Sequence, residues 1–393
     1  MTRTDRPLHA LFQILLLWLA GLGAAAQFAK ISVIFADIRA LYPGVGPELG
    51  LLVSLLSSLG IVFGMTAGVI LVRVGFRRPL VAALLLGAVV SLWQSTLPGF
   101  SAMLVSRVIE GCAHLVIVVA APTMMARVAP EGYRGVAMTL WGTFFGVAFA
   151  VVAWIGLPFV EVHGPAALFQ VHAAWMAGVA GLVALGFREP VRSGPAPAPL
   201  TLAGVWRQHL RAYASPAMSA PALGWFFYTM TFVSLLTILP EMIPESARAL
   251  TVGVMPLASI VVSLFGVSAL LRVMPATWII LAGFGLSAVL ILLPATGLPV
   301  AVTGVALFGA LGLVQGASFA AVPELNRETG DQALANGAVA QMGNLGNTLG
   351  TPFLLIMLAA GGFGGMILAV AGCYLCAVAV HLWLAARRRK AGL

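Results

Sequence analysis

Read from its N-terminus, the chain alternates long apolar runs with short polar breaks. Twelve runs approach or exceed the roughly 20 residues of helix that a bilayer core requires: 9–36, 49–71, 80–97, 101–125, 135–159, 166–187, 217–239, 249–271, 276–293, 299–322, 337–360 and 365–386. The breaks are rich in proline and glycine, which punctuate the backbone, as in Pro43-Gly44-Val45-Gly46-Pro47, Pro98-Gly99 and Pro294-Ala295-Thr296-Gly297. The pattern predicts an all-α polytopic membrane protein with twelve spans. Composition supports this. Of 393 residues, 61% are hydrophobic and 8% charged, whereas soluble domains carry about a quarter charged residues. A water-soluble fold and a disordered chain are both excluded. The net charge of +9 comes from 21 basic residues scattered at the ends of apolar runs, so no nucleic-acid partner is implied.

Those basic residues orient the chain. With a cytoplasmic N-terminus, 17 of the 21 fall in inside loops, while Arg39 and Arg248 alone lie outside. This follows the positive-inside rule and predicts a multi-pass inner-membrane protein with both termini cytoplasmic. Arg3, Arg6 and Ala24-Ala25-Ala26 imitate a secretory signal, but the apolar run continues through Ile34-Phe35 and is read as span 1. Cys112, Cys373 and Cys376 sit inside apolar runs and read as packing residues.

The longest polar gap lies near the chain midpoint, with six spans on either side. It divides the chain into an N-terminal bundle (1–187), a central cytoplasmic loop (188–216) and a C-terminal bundle (217–393). Residues 193–199 have the composition of a semi-rigid linker. From Thr201 to Tyr213, Leu202, Val205, Trp206, Leu210 and Tyr213 share one face and Arg207, Gln208 and Arg211 the other. That predicts an amphipathic helix on the membrane surface. The halves also echo each other. Glu110-Gly111-Cys112-Ala113, Pro122 and Arg134-Gly135 are matched in order by Gln315-Gly316-Ala317-Ser318, Pro323 and Asn336-Gly337. This suggests an ancient duplication and two pseudo-symmetric six-helix bundles.

Ionisable residues within hydrocarbon are costly and mark function by default. Lys30 and Arg107 are the two basic residues placed inside spans. Arg107, Glu110 and His114 stand at i, i+3 and i+7 of span 4 and share a face. Lys30 shares a face of span 1 with Asp37, and Gln27 lies one turn inward. Two cations at comparable depth predict an anionic or strongly dipolar substrate, since guanidinium grips planar anions bidentately. Glu110 is the first proton-carrier candidate and His114 the second; the alternative is a structural Arg107–Glu110 pair that fixes span 4 in its bundle. His172 reads as an interhelical hydrogen-bonding residue. The chain has no phosphate-binding G-x-x-x-x-G-K, no H-E-x-x-H and no G-x-S-x-G. No enzyme activity and no cofactor or metal is therefore predicted, and a membrane-embedded sensor or enzyme is the weakest reading.

In two motifs the chain resembles the major facilitator superfamily of transporters. The loop between spans 2 and 3, Gly68-Val69-Ile70-Leu71-Val72-Arg73-Val74-Gly75-Phe76-Arg77-Arg78-Pro79-Leu80, matches the family's G-x-L-a-D-r-x-G-r-[KR] in its glycines and basic residues. It departs at the acidic position, where Val72 stands. Arg107-Val108-Ile109-Glu110-Gly111 looks like the intramembrane R-x-x-x-G signature. The glycine-proline motif of drug–proton antiporters is missing from span 5, which reads Gly142-Thr143-Phe144-Phe145-Gly146. Within the family the chain is similar to the cyanate and nitroimidazole transporter-like branch.

The resemblance implies a monomeric secondary transporter working by alternating access, with spans 1, 4, 7 and 10 lining the substrate path. Lys30, Arg107, Gln27, Trp225, Tyr228, Gln315 and Asn344 are then the candidate substrate-binding residues. Spans 2, 5, 8 and 11 are the helices that rock. Gly60-x-x-x-Gly64-x-x-x-Gly68, Gly142-x-x-x-Gly146, Ser259-x-x-x-Ser263 and Gly346-x-x-x-Gly350 would let their backbones slide in contact. Arg73, Gly75, Arg77 and Arg78 of the loop, with Arg134 and Glu324, complete the candidate gate. The leading expectation is proton-coupled movement of a small organic anion or polar solute. The alternative, proton-driven efflux of a drug or hydrophobic metabolite, rests on Trp225, Phe226, Phe227 and Met230 in span 7.

Overall fold

A computed structural model describes residues 7–187 and 201–392. Arg3 and Arg6 of the signal-like start lie outside the described residues, as do Arg188, Arg192 and the 193–199 linker. Among the described residues every regular element is helical. Within hydrocarbon a helix satisfies its backbone groups internally, and long runs of Ala, Leu, Val and Ile supply nothing that competes with it.

Helix Pro7–Ser32 forms span 1 and is followed by the short helix Phe35–Leu41. Spans 3 and 4 are Arg77–Gln94 and Phe100–Val128. Span 5 is Arg134–Val151 extended by a π-helical turn at Val152–Gly156. The helix Leu157–Gly186 contains a break at Gly164, where φ is 78°. That glycine separates the end of span 5 from span 6. Likewise Gly362, at φ 60°, divides Thr329–Lys390 into spans 11 and 12. Both glycines occupy backbone space that a Cβ disfavours. Spans 7, 9 and 10 are Ser219–Ile238, Ala276–Leu290 and Val300–Leu325. Span 8 runs from Glu245–Val261 through a second π-helical turn, Val262–Gly266, into Val267–Leu270.

Span 2 departs most from the expected continuous run. It starts as the short pieces Pro47–Gly50, Leu51–Ser54, Leu55–Ser57 and Ser58–Phe63, then resumes as Ala67–Val74. Ser54, Ser57, Ser58, Gly60 and Gly64 weaken it. Serine hydroxyls compete for backbone partners, as Ser58 does by donating to the Leu55 carbonyl at 2.7 Å, and glycine is a poor helix former.

The chain forms two compact units, and the division is not simply six spans against six. One unit comprises 1–43 and 66–199, the other 44–65 and 200–393. The first half of span 2 groups with the second unit because small residues admit it there. A Cβ on Gly60 would stand 2.2 Å from Asn344, and one on Gly50 2.9 Å from the Pro352 nitrogen.

In the first unit span 1 packs on spans 4, 5 and 6, and span 3 packs on spans 4 and 6. Its apolar core is rich in small side chains, among them Ala20, Ala24, Ala113, Ala120 and Ala121, with Met125 and Met176 filling the gaps. In the second unit span 7 packs along span 11, span 8 on span 10, and span 9 on spans 10 and 12. The loop helix Leu202–Ala214 belongs to this unit, with the Thr201 hydroxyl accepting from the Gly204 N–H as its N-cap. Arg211 pairs with Asp331 at 2.6 Å, and Tyr213 donates to Gln341 at 2.8 Å. Burial pushes the Tyr213 hydroxyl up to about 12, so it stays a donor. Trp206 and Leu210 remain exposed on this helix.

Candidate functional site

The first unit holds a closed cluster of charge. Glu110 is its centre. One carboxylate oxygen accepts from Lys30 Nζ at 2.6 Å; the other accepts from Gln94 Nε2 at 2.9 Å and from Arg107. Arg107 also donates to the Gln27 carbonyl at 2.8 Å. Lys30 donates to Ser91 as well, and the Ser91 hydroxyl lies 2.6 Å from His172 Nδ1. The other imidazole nitrogen faces the Gly23 carbonyl at 3.0 Å. Because a carbonyl only accepts, His172 carries its proton on Nε2 and accepts from the hydroxyl. His114 Nδ1 donates to the Ala24 carbonyl at 3.2 Å, and its ring meets Phe28 edge-on.

Arg107 and Glu110 are 0% exposed and Lys30 is 1% exposed. The sequence places Arg107 and Glu110 one turn apart on a surface lining the substrate path, whereas in this structure the pair is sealed inside the first unit. Lys30, expected to share its face with Asp37, turns inward to Glu110 instead. The reason is electrostatic. In a dry interior a cation without an anion costs several kcal/mol, and Glu110 is the carboxylate at hand. Counted with neutral imidazoles, the cluster carries one surplus positive charge, since Lys30 and Arg107 share the one carboxylate of Glu110.

Ser91, Gln94 and Ser106 were not singled out from the sequence, yet they complete the cluster. Ser106 accepts from Gln94 at 3.0 Å and donates to the Met103 carbonyl. Ser91 and Gln94 stand three apart in an otherwise apolar span, hence on one face. That spacing was the signal available.

The second unit assembles neutral groups. Tyr228 of span 7 donates to Gln315 Oε1 of span 10 at 3.2 Å, and Ser259 of span 8 donates to the same oxygen at 3.0 Å. Trp225 stacks on Tyr228 with ring centres 4.4 Å apart and meets Phe319 edge-on, and Tyr228 stacks in turn on Phe232. Asn344 donates to the Ala340 carbonyl and packs over Gly60.

The candidate gating residues divide into several groups. Gly346 and Gly350 are contact glycines: an added Cβ would lie 2.4 Å from the Phe226 carbonyl oxygen and 2.0 Å from that of Met230. Spans 7 and 11 therefore meet backbone to backbone. Gly64 lies against the Gly60 carbonyl, and Gly75, at φ 89°, ends the second half of span 2 in a conformation open mainly to glycine. Gly146 is buried, whereas a Cβ added to Gly142 would meet nothing within 4 Å and one added to Gly68 only Val119 at 3.9 Å. Arg77 donates to the Ala184 carbonyl. Arg73 is half-buried, while Arg78 and Arg134 are exposed. Glu324, expected at a gate with a basic residue, uses its carboxylate to accept from the Ala276 N–H at 2.8 Å. It thereby caps span 9, where a helix N-terminus favours negative charge.

Bundled apolar helices around a buried charge cluster define a polytopic membrane protein. Comparison with known proteins gives the class its family. The sequence model of the Major Facilitator Superfamily matches residues 14–271, and the chain belongs to that superfamily. Among solved structures it is similar to a bacterial homolog of the human lysosomal transporter Spinster, in an inward-facing and unoccupied conformation, at 16% identity and a TM-score of 0.74, covering 97% of this chain and 98% of that one. A search of curated proteins finds no match. The protein is thus a multi-pass membrane transporter with the superfamily fold, not an enzyme, and it moves a small-molecule substrate across the bilayer by alternating access.

Proposed function

We propose that this chain is a proton-coupled carrier of a small organic anion, resident in the inner membrane as a monomer with both termini cytoplasmic. The observation that supports this is the pair of buried cations, Lys30 and Arg107, sharing one carboxylate, Glu110. An anion entering the cluster competes with Glu110 for those cations. When it takes one of them, the carboxylate loses a partner and accepts a proton, so solute and proton move together. Lys30, Arg107 and the Gln27 region hold the charged group, and His114 relays the proton. Tyr228, Gln315, Trp225 and Asn344 meet the uncharged parts of the solute. Since the cluster is sealed, binding requires a state of the cycle in which the first unit opens towards it. Gly346 and Gly350, Gly64, Gly68, Gly75, Gly142 and Gly146, with Arg73, Arg77, Arg78, Arg134 and Glu324, belong to that motion.

The test is uptake into proteoliposomes under an imposed pH gradient. Glu110→Gln is expected to abolish gradient-driven accumulation while retaining solute exchange at equal pH. Accumulation that still follows the gradient in Glu110→Gln would reject coupling through this carboxylate. The stacked Trp225–Tyr228–Phe232 row favours a second reading, efflux of a hydrophobic solute. A toxicity panel in overexpressing cells separates the two.

A further inference from the structure

The charge cluster has a second neighbour that the coupling scheme does not use. Where spans 1, 5 and 6 meet, the first unit contains a groove of about 430 Å3. Its exposed walls are apolar, and the buried residues Lys30 and His172, 1% and 5% exposed, are among those that line it. The groove exists because its lining includes the small residues Ala26, Ala148 and Gly156, and because span 5 turns π-helical at Val152–Gly156, a local widening that recurs at functional sites. Its rim is open to the lipid side of the bundle: Ile155 is 66% exposed and Val171 52%.

We infer that this groove binds a single-chain amphiphile bearing one negative charge, a medium- to long-chain carboxylate, with its chain along spans 5 and 6 and its head at Lys30. Charge selects the head. Lys30 and Arg107 share the one carboxylate of Glu110, so the cluster carries one surplus positive charge, and one incoming carboxylate leaves it neutral, with two positive and two negative groups. A zwitterion or neutral alcohol leaves the surplus in place. Volume selects the tail. At about 430 Å3 the groove suits one chain. The volume also lies within the range of small-molecule sites, roughly 300–1,000 Å3. The inference rests on the reading of Lys30 as an anion-seeking cation and is independent of whether the bound molecule is translocated.

The experiment is equilibrium binding of radiolabelled dodecanoate to the full-length protein in nanodiscs of zwitterionic lipid, with acetate and dodecanol as competitors. Saturable binding is expected. It should weaken at least tenfold in Lys30→Met, which keeps the Arg107–Glu110 pair, and in Ala148→Leu, which fills the groove. Ile155→Trp covers the mouth from outside without crowding the core, so it repeats the test should Ala148→Leu fail to fold. Dodecanol should compete poorly and acetate weakly. Unchanged dodecanoate binding in folded Ala148→Leu and Ile155→Trp overturns the inference. So does equal competition by dodecanol with no effect of Lys30→Met, which would identify the groove as a seat for bilayer acyl chains. If Lys30→Met abolishes acetate transport while the groove variants change nothing, the carrier reading stands and the groove falls. If the groove variants abolish dodecanoate binding while wild-type transport ignores the pH gradient, the groove stands and the coupling falls.

Discussion

The two units solve the same problem, polar groups within hydrocarbon, in opposite ways. The first concentrates charge: Lys30, Arg107 and Glu110 are sealed together and supported by Ser91, Gln94 and His172. The second uses no charge at its polar centre and relies on a hydroxyl–amide–hydroxyl junction of Tyr228, Gln315 and Ser259 flanked by stacked rings. Charge makes the first centre strong and exacting in stoichiometry. Neutral hydrogen bonds make the second tolerant. In the proposed function, the energetics of coupling fall to the first unit and adaptable contact to the second.

The sharpest way to break this contrast is to remove the carboxylate. Glu110→Gln leaves two buried cations without an anion, and removing one partner of a buried pair costs about 3–5 kcal/mol. Thermal unfolding in detergent should show a large drop, and Lys30→Met in the same chain should restore part of it by removing one unbalanced cation. A small loss, with no rescue, would mean that water reaches the cluster. Next in size is the packing of the second unit. Gly350→Leu places side-chain atoms where the Met230 carbonyl stands, and overpacking of this kind costs about 1–3 kcal/mol or more. The expected result is a lowered melting temperature and slowed exchange of solute. Tyr228→Phe is the mildest. It deletes one neutral hydrogen bond while keeping the ring stack, for about 1 kcal/mol, and should alter solute affinity more than proton coupling. An effect as large as that of Glu110→Gln would erase the distinction between the units.

Much of the first centre was legible beforehand. The i, i+3, i+7 spacing of Arg107, Glu110 and His114 placed three groups on one face, and the rarity of lysine marked Lys30. That Lys30 and Arg107 share Glu110 was not legible, because it joins spans 1 and 4, 80 residues apart. The role of Glu324 was hidden for a similar reason. Its partner, the Ala276 N–H, is a backbone group that any residue would offer. Nor did the glycine spacing distinguish Gly350, wedged against span 7, from Gly142, where an added Cβ would meet nothing within 4 Å. Spacing records which glycines share a face, not what lies opposite.

By itself the sequence determined the solvent this protein lives in, the places where most of its helices start and stop and the family they form. Those properties are local sums of hydrophobicity and helix-breaking residues. Tertiary structure alone decided which cation meets the carboxylate, which half of span 2 joins which unit and where a groove opens beside Lys30. Each of these depends on distances between segments remote in the chain, set by side-chain volumes and by the cost of leaving a charge unpaired in a dry interior.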